Sequence, residues 1–74
     1  MTTYGEAAVG LSFNPSGDQN VIRFKTLYAE IIDLCAKLRA EDVSPEHVRL
    51  YSVAIEEAQT AQMWAVKAVT WKDP

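Results

Sequence analysis

Trp64, Lys67 and Trp71 recur at intervals of three and four, which puts two large flat rings and one ammonium on a single stripe of a helix. Such a stripe suits a flat anionic ligand, because rings stack on bases and an ammonium meets a phosphate. An oligomer seam explains it equally well. Lys67 also lies in an otherwise apolar stretch, where a lysine needs a counter-charge or a route to solvent. A second candidate is Asn14-Pro15-Ser16-Gly17-Asp18, a small-residue turn entering a helix. Turns of this kind expose backbone N–H groups at the positive end of the helix dipole, where anions bind. Arg23 and Lys25, about two turns further on, add positive charge, and Asp18 opposes it. Phe13 supplies another ring immediately before the turn. Capping alone accounts for the turn and core packing alone for each aromatic, so only their combination points to a ligand.

Other chemistries fare poorly. His47 is the sole histidine, is predicted in the first turn of a helix, and lies far in sequence from Cys35, so no nucleophile and base are spaced for catalysis. One histidine and one cysteine do not make a structural zinc set. Glu56 and Glu57 are adjacent, so on a helix they point about 100° apart and do not converge. The sequence predicts no catalytic residue, no metal and no cofactor. A formal charge of -3 argues against duplex nucleic acid as a partner, since that binding rests on Lys and Arg contacts to phosphates. A small anion held by a few local cations is compatible with it. Cys35 is the only cysteine and sits in an apolar run, which predicts a reduced thiol and an intracellular protein. No stretch approaches the roughly 18 apolar residues of a membrane span, and the basic segment of a signal peptide is missing. A cytoplasmic protein with no membrane partner is expected.

These residues must be positioned by very little chain. At 74 residues the sequence reads as one domain over 1–74, yet 49% of it is hydrophobic, more than a short two-helix monomer can bury. The surplus predicts an obligate homo-oligomer. Ala54, Ala58, Ala61, Ala65 and Ala68 form a ladder along which another helix backbone can approach closely. Residues 1–14, with Gly5, Gly10, Ala7, Ala8, Val9 and Leu11, are expected to form an extended or single-turn arm packed across a neighbouring subunit. A first helix is predicted over 15–41, started either by Asn14 as N-cap with Pro15 at N1 or by Ser16 with Gln19 closing a capping box. Val21, Phe24, Tyr28, Ile31, Cys35 and Leu38 give its core-facing stripe, and Ile22, Leu27, Ile32 and Leu34 a second partner surface. Ser44 caps a second helix over 44–71, with Pro45 at N1 and Glu46 in the first turn. The connection is short, so the helices are antiparallel neighbours. The predicted fold is all-α: an N-terminal arm followed by an antiparallel two-helix hairpin.

Three segments, Val9 to Asp18 (VGLSFNPSGD), Ile22 to Lys25 (IRFK) and Ala61 to Trp71 (AQMWAVKAVTW), resemble the phage sponges that counter CBASS, the cyclic-oligonucleotide-based bacterial defence. These share a helical-hairpin domain with the phage sponges for cyclic ADP-ribose signals of Thoeris defence. The resemblance covers nearly the whole chain from Val9 onward and is strongest in the final helix. It implies a homohexamer that binds cyclic dinucleotides such as 3′,3′-cGAMP without cleaving them, and in some members cyclic trinucleotides at separate sites. It also implies a ligand site drawn from Gly10, Leu11, Phe13, Asn14, Ser16, Lys25, Lys67 and Trp71. Lys25 and Lys67 match the family's basic positions early in the first helix and late in the second. The family's stacking tyrosine falls near Leu11, with Phe13 the nearest ring. On this reading Lys25→Ala weakens ligand binding and leaves the assembly intact. A cyclic ADP-ribose sponge and a plain helical interaction module are the alternatives.

Overall fold

A computed structural model of residues 1–74 contains three helices and no strand: α1 (Tyr4–Val9), α2 (Gln19–Glu41) and α3 (Pro45–Thr70). The first was not expected. Thr3 and Glu6 close a reciprocal capping box at its start, and Gly10 ends it in the left-handed conformation at φ 62°, where a side chain is strained. In place of an arm reaching to a neighbour, residues 4–9 form a short helix docked on α2 of the same chain.

The hairpin itself matches the sequence reading. Its turn is a network of caps: Asp42 Oδ1 accepts the Ser44 N–H at 2.8 Å, Ser44 Oγ accepts from His47 N, and Asp42 Oδ2 lies 2.9 Å from His47 Nδ1. Across the hairpin, Arg39 Nη1 donates to Ser52 Oγ at 3.0 Å. No helix is long and apolar enough to cross a membrane.

The extents are 48 × 29 × 12 Å, little more than one helix thick in the shortest direction. A plate so thin has a narrow core: Val9 from α1, Ala29 and Ile32 from α2, and Ile55 and Ala58 from α3. Leu11, Tyr28 and Cys35 are half-buried against it. The buried row of α2 is Val21, Lys25, Ala29 and Ile32, rotated from the stripe that its larger apolar residues predict. Phe24 and Ile31 are exposed. The cause is close backbone approach, since a Cβ added to Gly5 would sit 2.2 Å from the Ala29 carbonyl oxygen. Small residues, Gly5 and Ala29, therefore meet where α1 crosses α2. On α3 the buried row is Ile55, Ala58 and Gln62, so the alanine ladder runs along its shoulder: Ala58 is buried, Ala61 and Ala65 are half-buried, and Ala54 and Ala68 are exposed. Outside, Phe24, Leu27, Tyr28, Ile31 and Leu34 line an open apolar groove along α2.

Candidate functional site

The Asn14–Asp18 turn is held together by its own side chains. Ser16 Oγ donates to Asn14 Oδ1 at 2.7 Å and accepts the Asp18 N–H at 3.1 Å, while Asn14 Nδ2 donates to the Asp18 carbonyl at 3.0 Å. Gly17, at φ 68°, lets the chain double back. Asn14 and Ser16 are thus committed to the turn, and neither caps α2. Asp18 is the N-cap, its Oδ1 accepting the Asn20 N–H at 2.7 Å. The anion place predicted at this helix start is filled by the Asp18 carboxylate.

Lys25, expected at the site, is unexpected in its burial. It is only 5% exposed, because its stem follows the buried row of α2 and its ammonium donates to the carbonyl oxygens of Gly10, at 3.0 Å, and Phe13. A lysine so placed keeps a polar partner for its charge, which burial requires. The same ammonium lies 5.6 Å from the centroid of the Phe13 ring. An ammonium has three N–H donors, and the Gly10 and Phe13 carbonyls use two of them. The Phe13 ring is 70% exposed and offers its area to solvent.

Phe13, Asn14, Ser16 and Lys25 come together around a shallow pocket of about 260 Å³, together with Pro15, Val21, Val66 and Thr70. Val66 and Thr70 carried no chemical motif of their own. An antiparallel hairpin turning at Val43 does set the end of α3 beside the start of α2, and that register was the signal for them.

The other predicted residues lie elsewhere. The Gly10 carbonyl anchors Lys25, but Gly10 and Leu11 line a separate open depression with Met1, Glu6 and Ser12. Leu11 packs on the core, so the ring available for stacking is Phe13. Lys67 and Trp71 do not line the pocket. They form the predicted sandwich, with the Lys67 ammonium 5.3 Å from the Trp64 ring and 5.8 Å from that of Trp71. Both rings are more than half exposed, and Trp71 Nε1 donates to Asp73 Oδ1 at 3.2 Å. Two ring-and-ammonium sites therefore stand on one plate, one built into the fold and one on its surface. No group of three or more metal-ligating side chains is present.

No curated protein and no solved structure gives a significant match to the chain. One family model does match, the Acb2/Tad1 hairpin domain, over residues 6–70, which takes in all of α2 and α3 and all of α1 but Tyr4 and Gly5. Its members are phage anti-CBASS and anti-Thoeris sponges, which bind cyclic nucleotide signals without cleaving them. The hairpin of α2 and α3, preceded by the segment that carries Phe13 and the Asn14–Asp18 turn, falls within that match, and the chain belongs to the Acb2/Tad1 hairpin-domain family.

Proposed function

We propose that this protein binds and sequesters a cyclic dinucleotide of the 3′,3′-cGAMP type in the host bacterial cytoplasm, blocking CBASS signalling, and that it does so as a homohexamer. The observation that carries this reading is the pocket where the exposed Phe13 ring, the Lys25 ammonium and the Asn14–Ser16 turn converge, in a chain of this sponge family. A cyclic dinucleotide has two bases and two phosphates. Two copies of the pocket across a two-fold axis would present two rings and two ammonium groups to them. Each stacked base contributes about 1–3 kcal/mol, and enclosure between subunits would add the preorganisation that tight capture needs. Sequestration acts by mass action and requires no turnover.

Assembly draws support from the thin plate, with Phe24, Leu27, Ile31 and Leu34 exposed on α2 and Leu50, Met63 and Trp64 on α3. Subunits meeting there would cover surface that a monomer leaves in water. The Trp64–Lys67–Trp71 sandwich is the place for a second anionic ligand, a cyclic trinucleotide among those expected from the family resemblance.

The test is depletion and release. Purified protein is mixed with 3′,3′-cGAMP, removed by filtration with whatever it holds, and then heat-denatured. Loss of free ligand followed by recovery of intact 3′,3′-cGAMP supports the sponge, whereas a cleaved product would refute it. Depletion of a cyclic ADP-ribose signal in place of cGAMP would move the protein to the Thoeris branch. Depletion of neither would favour a helical interaction module.

A further inference from the structure

No carboxylate other than Asp33 bonds to the backbone of another helix. Half-buried on α2, it accepts the N–H of Gly5, in the first turn of α1, on Oδ1 at 2.7 Å. Two turns back along α2, Lys25 donates to the carbonyl oxygens of Gly10 and Phe13, just beyond the other end of α1. The short helix thus runs antiparallel to α2 with an acceptor at its N–H end and a donor at its carbonyl end.

Between these clamps the hold is slight. Val9 is the only side chain of α1 in the buried core, and Gly5 makes its contact through bare backbone. A helix of six residues is not stable alone, so its conformation depends on its anchors. Its C-terminal end leads directly into Phe13 and Asn14, which line the pocket.

We infer that residues 3–13 form a strap whose opening sets the release rate of a bound ligand, and that Asp33, which does not line the pocket, is the positioning residue that keeps the strap shut. This rests on the pocket being the ligand site. When Asp33 lets go of Gly5, α1 lifts from Ala29, and Phe13 leaves the pocket with the segment that carries it. Asp33 is the latch that opens first, and Lys25 the second clamp, which releases the Gly10 and Phe13 carbonyls as α1 lifts.

The experiment uses the full chain as wild type, Asp33→Ala, Asp33→Asn and Gly5→Ala, with 3′,3′-cGAMP as the probe. Amide hydrogen exchange of the unliganded protein reads the latch directly, and a chase with excess unlabelled probe reads release. Asp33→Ala is expected to raise exchange in α1 by about tenfold and to speed release by a similar factor, with α2 and α3 protected as before. Asp33→Asn keeps an acceptor and should stay near wild type. Gly5→Ala should reproduce the Asp33→Ala result without altering the carboxylate, since its Cβ cannot fit against the Ala29 carbonyl. Unchanged α1 exchange in both Asp33→Ala and Gly5→Ala would overturn the latch, as would protection lost evenly over all three helices. Faster α1 exchange with unchanged release would overturn the strap's role while leaving the sponge reading intact. A wild-type protein that holds no probe would overturn the ligand site itself, and the strap's role in release with it.

Discussion

The Lys25 ammonium sits 5.6 Å from the centroid of the Phe13 ring while donating to the carbonyl oxygen of the same residue. One cation therefore fixes both the backbone and the face of the ring, and folding and recognition are not separable at position 25. Lys25→Ala is expected to cost about 1–3 kcal/mol of stability, because the Gly10 and Phe13 carbonyls lose a charged donor, and to weaken 3′,3′-cGAMP binding as well. This replaces the simpler expectation of a lost ligand contact on an unaltered scaffold. Phe13→Ala should weaken binding alone, since the ring is exposed. Calorimetry and thermal unfolding on the two variants check this; an unchanged Tm for Lys25→Ala would refute the clamp.

Ile32 is fully buried where the three helices meet. Truncating it to alanine should cost about 2–5 kcal/mol, a large share of what so small a core supplies. Chemical denaturation measures the loss. A change below about 1 kcal/mol would mean that the site collapses to fill the void.

For the surface sandwich, Lys67→Met should abolish any change in tryptophan fluorescence that an added cyclic trinucleotide produces, because the cation between Trp64 and Trp71 is removed. The Phe13 pocket should keep its cGAMP affinity in the same variant. Loss of both together would show that the two places act as one site.

The hairpin turn carries a pH dependence. The Ser44 N–H, and after it the His47 side chain, hold the Asp42 carboxyl below its ordinary value of 3.8. A carboxyl depressed in the folded state contributes stability that is complete above 3.8 and is lost as the pH falls through the lower folded value. Asp42→Asn should therefore flatten the acid limb of a stability profile by lowering its neutral region, while stability below the folded value of the wild-type carboxyl stays nearly unchanged. An identical acid limb in the variant would show that the turn contributes nothing there.

The hairpin was legible because its signals are local: Ser44-Pro45-Glu46 starts one helix, and three residues separate it from the other. The start of α1 was equally local, since Thr3 and Glu6 stand at capping-box spacing before Ala7, Ala8, Val9 and the stop at Gly10. The apolar, glycine-containing composition of the arm obscured it. The rotation of the core had no local signal. Periodicity favours the largest apolar residues, Phe24 and Ile31, but α1 approaches α2 closely at Gly5 and Ala29, and Ala29 and the stem of Lys25 take the inner row. Phe13 and Lys25, both singled out for their chemistry, do come together, while the inward turn of the lysine depends on carbonyls beyond a helix end that local sequence signals did not bring out.

That inward turn bears on how such a protein changes over generations. Under the proposed function, a phage facing a host with an altered signal cannot exchange Lys25 without rebuilding the turn that displays Phe13. The exposed ring of Phe13 carries no such double duty. New ligand preferences should therefore accumulate at the rim of the pocket, while its floor is inherited unaltered.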